Sequence, residues 1–77
     1  MITEPLKLAV QAAKREALST ASINALCHAR VLRQSHSRQF GVDNVELIAY
    51  FTSRQHITFH ILLNNNRLVY SGIKHGK

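Results

Sequence analysis

Arg30, Arg33 and Arg38, with His28 just before them and His36 between Arg33 and Arg38, form the densest basic stretch of the chain. Arginine is always charged and presents forked donors to phosphate oxygens and base edges, so the chemistry such a run suits is polyanion binding. The competing reading is a solvated face whose arginine stems cover apolar surface. Arg54, Arg67, Lys74 and Lys77 extend the basic character to the C-terminus, and no acid follows Glu46. The predicted nucleic-acid contacts are therefore Arg30, Arg33, Arg38, Arg54, Arg67, Lys74 and Lys77. Arg33 and Arg38 lead among them, because Arg30 falls inside an apolar stripe if its segment is helical.

Catalytic arrangements are scarce. His56 and His60 share one face of an alternating segment and are the one pair that resembles an acid and a base for ribonucleotide cleavage. Four residues along a strand separate them by roughly 13 Å, too far for joint ligation of one metal ion. Cys27 and His28 are adjacent and do not face each other on a helix; Cys27 reads as a small core residue beside Ile23 and Leu26. The acids Glu4, Glu16, Asp43 and Glu46 read as caps or helix surface rather than as a catalytic pair. Three glycines, at 41, 72 and 76, do not make a phosphate-cradling loop. No cofactor or metal is expected. Tyr50, Phe51, Phe59 and Tyr70 offer ring faces for base stacking, with Phe59 assigned to the core.

The elements that must hold these residues divide the chain in two. Pro5 suits the first turn of a helix, with Thr3 or Glu4 as its cap. Leu6, Ala9, Val10, Ala13 and Ala17 then recur at helical spacing. Ser19-Thr20-Ala21-Ser22 breaks that helix, and a second is predicted over residues 21–34, where Ala, Leu, Arg and Gln dominate. Its smeared apolar pattern suits contact on two sides. In the second half His56 to Leu63 alternates, with Ile57, Phe59, Ile61 and Leu63 on one face. Asn64-Asn65-Asn66 tolerates positive φ and returns the chain as Arg67 to Ser71, a hairpin. Residues 44–53 fit either a helix, from the Asp43/Glu46 spacing, or a strand, from the alternation of Val45, Leu47, Ala49 and Phe51. The strand is preferred because Thr52 to Gln55 makes a turn into the next one.

The fold class that follows is α+β in a single domain over residues 1–77: an N-terminal helical pair packed on a C-terminal antiparallel sheet, a two- or three-stranded meander. Ile57, Phe59 and Ile61 are expected to be buried against the first helix. One cysteine forms no internal disulfide, no apolar run reaches the roughly 20 residues of a membrane span, and the N-terminus lacks the pattern of a secretory signal, so a cytoplasmic protein is expected. In 77 residues the core is small, which favours a homodimer that covers apolar surface. The net charge of +6 calls for an acidic partner: nucleic acid, DNA or RNA, or an acidic protein surface. Three functions follow from this. The first is a non-enzymatic accessory or regulatory protein contacting nucleic acid; the second is an adaptor or inhibitor docking on an acidic protein. The third is a small ribonuclease-type toxin, since helices followed by an antiparallel sheet in a basic chain resemble the layout of small microbial ribonucleases and ribosome-dependent toxins. No motif in this sequence carries a catalytic position over from them.

Overall fold

The computed structural model describes residues 4–74, and Lys77 lies outside them. Pro5 opens α1 (Pro5–Arg15), where its missing N–H would be unpaired in any case, and Lys14 and Arg15 complement the dipole at the other end. The buried stripe of α1 is Leu8, Ala9, Ala12 and Ala13, rotated from the expected one. Leu6 is 37% exposed, because the small alanines let the helix settle close to the sheet along their own side. The helix ends in a paired arrangement of backbone bonds: Leu18 N–H donates to Ala13 O at 3.0 Å and Ala17 N–H to Lys14 O at 3.1 Å. Such an ending places the residue after the cap in the left-handed region, and Ala17 takes it with φ 59°.

The break expected at Ser19 to Ser22 is present. Ser19 caps α2 (Thr20–Asn24), its hydroxyl accepting from the Ser22 N–H at 3.1 Å. The predicted second helix over residues 21–34 is otherwise overturned: α2 has 5 residues, and the chain then becomes β1 (Leu26–Ser37). The helix-forming composition loses here because β1 pairs along its length with β2 (Val42–Phe51) and sets Ala29 and Val31 against the core. β3 (His56–Asn64) and β4 (Arg67–Lys74) complete a four-stranded antiparallel sheet in the order β1-β2-β3-β4. The α+β class stands, with a helix, a short second helix and one more strand than the longest meander expected.

Both structural expectations for the second half are met. Residues 44–51 are strand, and the Asn hairpin closes with Asn65 and Asn66 at φ 53° and 65°, the conformation that asparagine tolerates well. One face of the sheet carries the core: Val45, Leu47, Phe59 and Ile61 are fully buried beneath α1, and Ile57 is half-buried beside them. The buried hydroxyl of Ser71 on β4 donates to the Glu16 carboxylate at 2.8 Å, so Glu16 is a tether from helix to sheet as well as a surface group. Among the described residues no helix is long and apolar enough to cross a membrane.

Candidate nucleic-acid interface

α1 covers one face of the sheet, and alternation along the strands sends the remaining side chains to the other. Cross-strand register arranges this helix-free face in rows. At the end next to the β2–β3 turn, His28, Tyr50 and His56 are aligned across β1, β2 and β3. Arg30, Ile48, Thr58 and Lys74 form the next row, and Arg33, Glu46, His60 and Gly72 the one after it. Ser35, Asn44, Leu62 and Tyr70 come last.

Arg30 and Arg33 are three positions apart, which strict alternation would send to opposite faces. A bulge between Val31 and Arg33 changes this. Leu32 is the extra residue, and beyond it the alternation resumes with Arg33 opposite Glu46, two positions along β2 from the partner of Arg30. The expected structural role of Arg30 within an apolar helix stripe is overturned with the helix itself: Arg30 is an exposed strand residue. A second bulge, between Leu26 and His28, takes Cys27 out of the ladder. Its side chain is exposed rather than in the core and donates to the Tyr50 carbonyl at 3.5 Å.

Lys74 joins the arginines through an ion pair, its Nζ donating to Glu46 Oε2 at 2.6 Å. That hydrogen bond holds the Glu46 carboxyl below its ordinary range, against the desolvation that raises it; the charges of Lys74, Arg33 and His60 add to the lowering. A shallow basin of about 380 Å³ opens here, lined by Arg33, Ser35, Asn44, Glu46, His60 and Lys74. Its chemistry is that of a cationic pocket with polar donors and one carboxylate.

The other predicted contacts lie elsewhere. Arg38 follows the end of β1 in the β1–β2 turn, roughly 15 Å along the strand from Arg33, so the two leading candidates do not form one site. Arg54 is in the β2–β3 turn and Arg67 follows the β3–β4 turn, at opposite ends of the sheet, as a meander requires. Arg67 instead shares a groove with Lys14 and Arg15 at the end of α1, a basic grouping the sequence reading missed because it joins residues far apart in the chain. Arg15 Nη2 also donates to the Val69 carbonyl at 3.0 Å. His36 pairs with Asp43, Nδ1 to Oδ1 at 2.7 Å.

His56 and His60 do share a face, as the alternation predicted, but in different rows. Tyr50 and Tyr70 are on the helix-free face, whereas Phe51 and Phe59 are buried on the other. No three His, Cys, Asp or Glu side chains gather as metal ligands among the described residues. No family model, curated protein or solved structure matches this chain.

Proposed function

We propose that this domain is a non-enzymatic accessory or regulatory protein that contacts nucleic acid, DNA or RNA, through the helix-free face of its sheet. The observation that carries the reading is the bulge at Leu32, which aligns Arg30 and Arg33 on one exposed face with Lys74 and three histidines. The face holds a single acid, Glu46, already paired with Lys74. Arginines on a solvent-open sheet meet phosphates without a desolvation penalty for deep burial, and each neutralised phosphate releases counterions.

Replacing Arg30 and Arg33 together with Ala is expected to weaken binding to any nucleic acid and to flatten log affinity against log salt by roughly 1 to 2 units. Arg15→Ala, on the far side of the molecule, leaves that slope unchanged. A salt titration followed by fluorescence anisotropy reads both. The second reading, docking on an acidic protein surface, draws on the same charge and on the outer edges of β1 and β4, which have no strand partner among the described residues. It takes first place if random DNA and RNA show no affinity even at low salt. Self-association through one of those edges belongs to the proposal as well.

A further inference from the structure

The row formed by His28, Tyr50 and His56 differs in kind from the rest of the face. Its side chains are all aromatic, contributed by three adjacent strands. The His28 and Tyr50 ring centroids are 5.8 Å apart with the planes within 22° of parallel. His56 continues the row at 6.1 Å from Tyr50, tilted by 52°. Tyr50 is half-buried between two exposed histidines, two positions along β2 from Ile48, which is buried on the same face. Arg30 is a cation of the neighbouring row, while Arg54 lines a groove between α2 and the β2–β3 turn that also reaches His56. Arg54 is held there at φ 72°, a conformation glycine or asparagine would adopt at less cost.

Resting on the nucleic-acid reading above, we infer that the His28–Tyr50–His56 row is a base-stacking subsite, so that the ligand is single-stranded nucleic acid with unpaired bases. Every base has a π-face, and one that inserts between these rings or stacks on the outer side of the row does so with little sequence preference, while the arginines hold the backbone. Paired bases in a duplex present edges in the grooves and keep their faces inside the stack, out of reach of a ring row on a sheet.

The test compares three probes by anisotropy at one salt concentration: a short oligouridylate, an abasic oligonucleotide of equal length, and a duplex. The wild-type protein is expected to bind the oligouridylate roughly 5- to 100-fold more tightly than the abasic strand. Tyr50→Leu, which keeps an apolar side chain on the strand, is expected to bring the oligouridylate down to the abasic level without moving the abasic value, and Tyr50→Phe to retain the preference. His56→Ala, at an exposed position, gives the same comparison in a variant whose fold is little burdened, and circular dichroism checks both. Equal binding of all three probes, or ring variants that keep the preference, overturns the stacking subsite and leaves the basic-surface reading standing. If no probe binds at low salt, both readings fall together.

Discussion

At the scale of single residues, Glu46 has the most consequential surroundings. It is the one acid on the helix-free face, and its carboxyl is lowered chiefly by the hydrogen bond from Lys74. The folded state therefore binds this proton less tightly than the unfolded chain does. The pairing stabilises the fold above the ordinary carboxylate range, and that contribution is lost as pH falls through the lowered value. In an acid titration from about pH 5 downward, the wild-type protein is expected to lose more stability than Glu46→Gln, as read by circular dichroism in urea. Parallel losses would show that the ion pair contributes nothing measurable, a common result for exposed pairs. The Glu46 carboxylate also lowers the net positive charge of the basin it shares with Arg33 and His60.

Among the elements, α1 and β1 behave in opposite ways. The sequence is a good guide to α1: Pro5, a run of helix formers, and a break at Ser19 are all found where the residue types place them. Its ending is not ideal. Ala17 occupies a left-handed position that costs an L-residue with a side chain roughly 1 kcal/mol relative to glycine. Ala17→Gly is expected to raise stability by about that amount, measured as a higher urea midpoint with an unchanged slope. A lower midpoint would mean that the Ala17 methyl group makes contacts worth more than the strain. β1 is the element that propensity misjudges. Leu, Ala, Arg and Gln read as helix, while the alternation of His28, Ala29, Arg30 and Val31, which signals a half-buried strand, spans only a few residues before the bulge at Leu32 interrupts it. A bulge shifts the period by one, so no single alternating template runs the length of the strand.

At the scale of the whole molecule, the sheet ends in two outer edges, β1 and β4. Edges present unpaired backbone groups and invite a second chain. On β1, antiparallel pairing of two copies would bring Arg30 and Arg33 of one chain close to the same residues of the other; bulges interrupt both edges, on β1 at Cys27 and Leu32 and on β4 at Val69. β4 carries the exposed Val69 and Tyr70, at 45% and 51%, and is the edge through which a homodimer would form at lower cost. Sedimentation equilibrium is expected to give a dimer mass at high concentration, and Val69→Lys to return the chain to monomer. A monomer throughout would remove self-association and leave both edges to other partners.

By itself the sequence determined the α+β class, the first helix and its stop, the Asn hairpin, and the burial of Phe59 and Ile61. These depend on local spacing and turn chemistry, which neighbouring residues carry among themselves. The sequence also determined which residue types are available for binding, and the excess of cations among them. Only the tertiary structure decided that residues 26–37 are strand, because pairing with β2 and the docking of Ala29 and Val31 outweigh intrinsic helix propensity. It decided as well which cations meet. The bulge brings Arg30 and Arg33 onto one face, strand length leaves Arg38 beyond its end, and the fold of the chain brings Arg67 to Arg15. The sequence offered Tyr50 as a stacking ring but not the row it belongs to, since His28, Tyr50 and His56 become neighbours only through the register of three strands. Such register is set by the hydrophobic pattern of all the strands at once and by the turns that join them, and no window along one strand contains it.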